Sequence, residues 1–188
     1  MKLIVLTAPS GAGKTTIARR LMADVPGLRF SVSATTRPPR AGEADGVDYH
    51  FLSVTDFHER LDAGDFVEHE EVYPGRFYGT LAPELERLAA SEGTRAVVLD
   101  VDVKGALNVK GIYGGRALAL FIRPPSLDAL AARLRSRGTE DPDAIATRLE
   151  RARMELSHAE AFDHVVVNDS LEAAVAETVA LVRAFLDS

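Results

Sequence analysis

Short apolar runs alternate with amphipathic stretches along most of the chain. Leu3, Ile4, Val5 and Leu6 form a run of strand length, and over 17–25 the apolar positions fall at helical spacing. Polar and apolar residues alternate over 29–33, which predicts a second strand, and 48–52 predicts another short one. A small helix follows over 55–63, with Ser53 and Asp56 as a capping pair. Residues 75–80 read as a turn and strand, and 83–91 as a helix. The run 96–99 closes on Asp100-Val101-Asp102 and reads as a strand buried on both faces, the parallel-sheet kind. A helix over 105–110 leads to a strand over 117–122 that stops at Pro124-Pro125. Another helix runs over 126–135, Gly138-Thr139 breaks it, and Asp141-Pro142 supplies an N-cap and first-turn pair for a long helix. The buried stripe of that helix is Ile145, Leu149, Ala152 and Leu156. A strand over 164–167 and a final helix capped by Ser170 complete the chain. Five apolar strands alternating with helices predict a three-layer α/β core around a parallel sheet. Residues 34–80 are more polar, short-stranded and aromatic-bearing, and read as an insertion that binds something.

At 188 residues the chain fits one domain. The net charge of −6 argues against general nucleic-acid or membrane-surface binding, so local arginines must hold any anionic ligand. No cysteine is present, which excludes disulfides and thiolate metal sites. The first strand begins almost at once, and no apolar run approaches the ~20 residues that span a bilayer, so a cytoplasmic protein is expected.

The first strand and helix are joined by Ala8, Pro9, Ser10, Gly11, Ala12, Gly13, Lys14, Thr15 and Thr16. Glycines at such a turn let backbone N–H groups converge on an anion at a helix N-terminus. Lys14 would reach the outer phosphates of a nucleotide, and the Thr15 hydroxyl would take a place on Mg²⁺. Ala8 stands where this pattern usually has its first glycine, which requires a negative φ there. Arg37 and Arg40 flank Pro38-Pro39, an extended segment suited to presenting two guanidinium groups to a phosphate. Asp100, at a predicted strand end, suits ordering of a magnesium ion. Arg133 and Arg137 are four apart, and Arg148 lies beside the apolar stripe of the long helix. Together they form a candidate lid over a polyphosphate. Arg151 and Arg153 are expected on a solvated face.

Taken in order, the stretches 9–16, 31–40, 46–51, 78–80, 100–106, 133–139 and 166–169 closely resemble the guanylate kinase family, over nearly the whole chain. The phosphate loop alone is shared widely among NTPases. Its combination with Thr-Thr-Arg-Pro-Pro-Arg and Asp-Val-Asp-Val-Lys-Gly-Ala is far more specific. The resemblance implies the P-loop nucleoside monophosphate kinase fold: a core of 1–33, 81–134 and 143–188, a GMP-binding region over 34–80 with a small mixed sheet, and a helical lid over 135–142. It implies transfer of the γ-phosphoryl group of Mg-ATP to GMP, without an obligate protein partner. Arg37, Arg40, Tyr49 and Tyr78 would hold the GMP phosphate. Ser33, Thr80 and Glu68 would read the guanine, and Asp100 and Asp102 would lie near the metal and the guanine respectively. Lys14, Arg133, Arg137 and Arg148 would neutralise the transferring phosphoryl, and Asn168 would lie near the adenine. Two departures stand out: the 71–77 turn is one residue longer than usual, and Phe77 replaces a common tyrosine. A catalytically inactive phosphopeptide-binding module and a sugar-phosphate kinase are the alternatives; intact Lys14, Thr15, Arg37, Arg40 and Asp100 weigh against the first, and Glu68, Ser33 and Thr80 against the second.

Overall fold

The computed structural model describes residues 1–136 and 142–188. In chain order the elements are β1 (Lys2–Thr7), α1 (Lys14–Asp24), β2 (Leu28–Phe30), β3 (Ala34–Thr35), β4 (His50–Phe51), α2 (Val54–Asp62), β5 (Phe66–Tyr73) and β6 (Arg76–Leu81). Then follow α3 (Ala82–Ala90), β7 (Ala96–Asp100), α4 (Val103–Tyr113), β8 (Ala117–Arg123), α5 (Leu127–Ser136), α6 (Pro142–Ser157), β9 (His164–Val167) and α7 (Leu171–Asp187).

Five strands form a parallel sheet in the order β2-β7-β1-β8-β9. Its central strands are near-continuous apolar runs because both faces are covered. On one face Leu21, Val25 and Val182 of the α1–α7 side pack on Ile4, Leu6, Val98 and Leu120. On the other, Leu85 and Leu88 of α3 and Val103 and Val109 of α4 meet Leu3, Val97, Leu99 and Phe121. This is the three-layer core that the apolar runs predict. No helix among the described residues is long and apolar enough to cross a membrane.

The second sheet is mixed, in the order β4-β3-β6-β5, with β3 parallel to β4 and antiparallel to β6. Its small core is Ala34, Phe57 of α2 and Leu81, with Phe57 stacked on Phe66 at 4.4 Å between centroids. The strand predicted over 29–33 is a correction. β2 ends at Phe30, the Ser31 amide still donates to Val98, and the Ser33 carbonyl already accepts from His50 in the small sheet. Burial does not follow the alternation: Arg29 and Phe30 are both exposed, Ser31 is buried, and β3 buries both of its residues, so the polar and apolar period alone does not show where one sheet hands over to the other.

Helix starts follow their caps. Ser53 accepts from the Asp56 amide at 3.0 Å and donates its hydroxyl to the Asp56 carboxylate at 2.7 Å, and Ser170 caps α7. α4 begins two residues before the predicted start, because Asp102 is its N-cap and accepts from the Gly105 amide at 2.8 Å. Ile145 and Ala152 of α6 are buried against Leu130 and Leu134 of α5. Asp141, the predicted cap of α6, lies outside the described residues.

Candidate active site

The loop after β1 opens into α1 at the C-terminal edge of the parallel sheet, where such folds place their ligands. Gly11 and Gly13 take φ of 91° and 99°, a region costly to residues with a Cβ. Among the described residues every positive φ belongs to a glycine, so Ala8 fits with an ordinary negative φ. The expected glycine is therefore dispensable at position 8.

Gly13 has a second constraint. A Cβ there would lie 2.3 Å from Nδ2 of Asn168. Asn168, expected near the adenine, is buried, and its amide donates to the Ala12 carbonyl at 2.7 Å. Its own carbonyl accepts from Arg133 at 2.8 Å, and its backbone amide donates to Arg123 at 2.7 Å. Asn168 thus fastens the loop to the end of β9, and Arg133 fastens Asn168. Gly13→Ala is expected to cost about 1–2 kcal/mol from backbone strain alone. It should also displace Asn168 and loosen the loop, and thermal melting measures the loss.

Lys14 opens α1, and its amine is ion-paired with Asp100 and donates to the Val101 carbonyl at 3.2 Å. The end of β7 thereby holds the amine over the loop. Thr15 and Thr16 line the same cleft, as do Ala8, Pro9, Ser10 and Gly11. Ala12 is buried beneath it.

Across the cleft the small sheet presents Ser33, Tyr49, Glu68 and Tyr78. Glu68 is buried, and its Oε1 accepts the Thr80 hydroxyl at 2.6 Å. Burial pushes its carboxyl up to about 7, only partly offset by the Thr80 hydrogen bond. Its Oε2 sits where a side chain on Gly105, the third residue of α4, would be, so a glycine there leaves Glu68 its place. Asp102 lines the cleft beside it. Burial likewise raises the Tyr49 hydroxyl.

Arg37 is buried behind Tyr49, with its guanidinium 5.2 Å from that ring centroid and 5.7 Å from that of Phe51. It forms a two-pronged pair with Glu43, at 2.8 and 2.9 Å. Arg40 is exposed at the turn, its backbone amide donating to the same carboxylate at 2.7 Å. Of the lid arginines, Arg148 donates to the Ser10 hydroxyl at 3.0 Å and lines the cleft. Arg137 lies outside the described residues.

Arg151 corrects the expected solvated face. It also lines the cleft, donates to Glu155 at 2.9 Å and to the Val72 carbonyl at 3.4 Å, and lies 3.8 Å from Asp102. One guanidinium thus ties α6 to the N-cap of α4 and to the end of β5. Arg153 is exposed and pairs with Glu150, as expected. Sequence reasoning also missed Glu43, Glu70 and Glu155. The four-residue spacing of Arg151 and Glu155 was a readable signal for that pair. The cleft between loop, small sheet and α6 measures about 410 Å³.

A phosphate loop under a parallel sheet's edge, faced by a separate sheet carrying a buried acidic group and overhung by a helix with arginines, defines a P-loop phosphotransferase of the nucleoside monophosphate kinase class. Comparison with known proteins narrows the class. The guanylate kinase family model matches residues 1–185. The chain is 58% identical over 186 residues to the guanylate kinase of Salinibacter ruber, covering 99% of this chain and 97% of that one. It is 50% identical over 187 residues to that of Chlorobium luteolum, covering 100% and 93%. The crystal structure of guanylate kinase from Anaplasma phagocytophilum superposes with a TM-score of 0.77 at 32% identity, covering 97% of this chain and 85% of that one. The chain belongs to the guanylate kinase family.

Proposed function

We propose that this cleft transfers the γ-phosphoryl group of ATP to GMP, and also to dGMP, giving ADP and the nucleoside diphosphate. The observation that carries the reading is the buried Glu68–Thr80 pair set across the cleft from Lys14. A carboxylate there accepts from the guanine N1–H and exocyclic amine. Adenine offers no such pair of donors, and a buried carboxylate left unmatched rejects it. Ser33, Thr80 and Asp102 complete the guanine side.

Arg37, Arg40, Tyr49 and Tyr78 hold the acceptor phosphate, and residues 8–16 with Lys14 hold the donor phosphates. The attacking atom is an oxygen of the GMP phosphate itself. Its second pKa, near ~6, leaves it mostly dianionic at neutral pH, so no general base is needed. Catalysis is alignment of that oxygen with the γ-phosphorus and cancellation of charge by Lys14 and Arg148. Arg133 and Asn168 act by keeping the loop in shape. The Thr15 hydroxyl and Asp100 carboxylate suit Mg²⁺, which takes few protein oxygens and completes its shell with water and phosphate. Bound there, the ion would neutralise phosphate charge. Residues 34–80 are proposed to close over the core of 1–33, 81–134 and 143–188, in the cytoplasm; most of the expected lid, 137–141, lies outside the described residues.

A coupled assay of ADP release tests the reading. Turnover with GMP and dGMP is expected to exceed that with AMP, CMP or UMP by about 10²-fold or more. Equal activity on AMP would sink the guanine assignment. No activity on any nucleotide would favour the phosphopeptide-binding alternative.

A further inference from the structure

Arg37 is held before any phosphate arrives, and the holder is Glu43, a residue to which the reaction as described gives no part. A guanidinium has five N–H donors in a fixed fork. Glu43 takes one from Nη1 at 2.8 Å and one from Nη2 at 2.9 Å, and the Pro38 carbonyl takes another from Nη1 at 2.8 Å. The end-on edge of the fork is therefore occupied. None of these contacts uses Nε or the second N–H of Nη2, and Tyr78, which lines the cleft, hydrogen-bonds the guanidinium and adds to the hold on its proton. Tyr49 and Phe51 fix the group from their ring faces.

Glu43 is itself tied down. Its Oε2 accepts from the Arg40 amide at 2.7 Å, and its own amide donates to the Arg40 carbonyl at 3.0 Å, which closes the turn after Pro38-Pro39. Arg37 and the backbone of Arg40 thus converge on one carboxylate. The Arg37 guanidinium, and next the Arg40 amide, hold that carboxyl down at about 2, so it stays ionised wherever the protein works.

We propose that Glu43 is a positioning residue for the acceptor phosphate: it occupies the end-on edge of Arg37 and closes the Arg40 turn, so that the remaining edge of Arg37 is presented to the phosphate already oriented. A long arginine side chain ordered in advance does not lose its rotamer freedom on binding, so removing the order costs affinity rather than chemistry. The inference rests on the reading that Arg37 holds that phosphate. A carboxylate that merely opposed the charge of Arg37 would have the reverse effect, since its removal would tighten GMP.

Steady-state kinetics on Glu43→Ala and Glu43→Gln separate these outcomes. Glu43→Ala is expected to raise the KM for GMP about fivefold to tenfold, with kcat and the KM for ATP little changed. Glu43→Gln, which keeps the size and one acceptor oxygen, should fall between, and it supplies the readout should the alanine variant not fold. Because the effect acts through the phosphate, the preference for GMP over guanosine as a competing ligand should shrink by the same factor. An unchanged or lowered GMP KM, even with a lowered melting temperature, would overturn the proposal and leave Glu43 a turn-former. Arg37→Ala is the control. If it too leaves the GMP KM unchanged, the assignment of Arg37 falls; if it alone raises the KM, only the role of Glu43 falls.

Discussion

Lys14→Ala is expected to lower kcat for GMP phosphorylation about 10²- to 10³-fold, the usual loss when one preorganised charge-stabilising donor is removed. The position of the amine argues for so large an effect. It stands at the first residue of α1, over a loop whose glycines turn backbone N–H groups inward, and Asp100 and the Val101 carbonyl keep it there. On the proposed reading, ATP phosphate oxygens would compete with that carboxylate for the amine, so the charge would be delivered without a search. The fold should survive. A cation in the first turn opposes the helix dipole, and its partner Asp100 is about one-quarter exposed, so water can solvate the carboxylate once it is alone. A melting temperature within about 4 °C of wild type is expected. Quenched assays at saturating ATP and GMP, beside thermal melting, measure both; an unchanged kcat would remove the loop from the mechanism.

The loop was legible from its residues because both glycines sit at a turn that residues with a Cβ resist, whereas the second constraint on Gly13, its closeness to Asn168, was not. The parallel core was legible for a similar reason, since strands covered on both faces read as unbroken apolar runs. Periodicity reports which side of a helix meets the core, and it is silent on which polar flank overlooks a cleft. Arg148 and Arg151 both lie off the apolar stripe of α6, yet both line the cleft, and only tertiary placement distinguishes them from Arg153. Glu43 is six residues from its partner in a turn without period, and the contact exists only because the chain doubles back beyond Pro38-Pro39. Asn168 looked like a strand exit, and the loop carbonyl it serves is 156 positions away. Glu68 could be nominated from the resemblance, but its burial could not be read locally. The β5–β6 register slips between Phe66 and Glu68, which sets Glu68 opposite Thr80 and changes which side chains point inward.

That burial makes the pH dependence of GMP binding a direct test of the guanine reader. With its carboxyl at about 7 before ligand binds, Glu68 carries a proton below that pH and would meet the guanine donors with a donor of its own. GMP binding must then expel the proton. The GMP KM is therefore expected to rise toward about tenfold per unit as pH falls below 7, and more steeply below ~6, where the GMP phosphate also gains a proton. The ATP KM should lack the upper break. Glu68→Gln removes that break, leaves only the phosphate's, and raises the GMP KM about 10²-fold or more, because its amide keeps one acceptor oxygen and turns an NH2 donor toward the other guanine donor. Stability gives an independent reading of the same group. A carboxyl raised on folding is protonated longer in the folded state, so stability falls as pH climbs from the ordinary value of 4.5 to about 7 and the penalty is constant above. The glutamine variant carries no such penalty, so its melting temperature relative to wild type should be higher at pH 8 than at pH 5. A wild-type GMP KM that is flat from pH 6 to 8, with equal melting differences at both pH values, would show that Glu68 is not the group that meets the guanine.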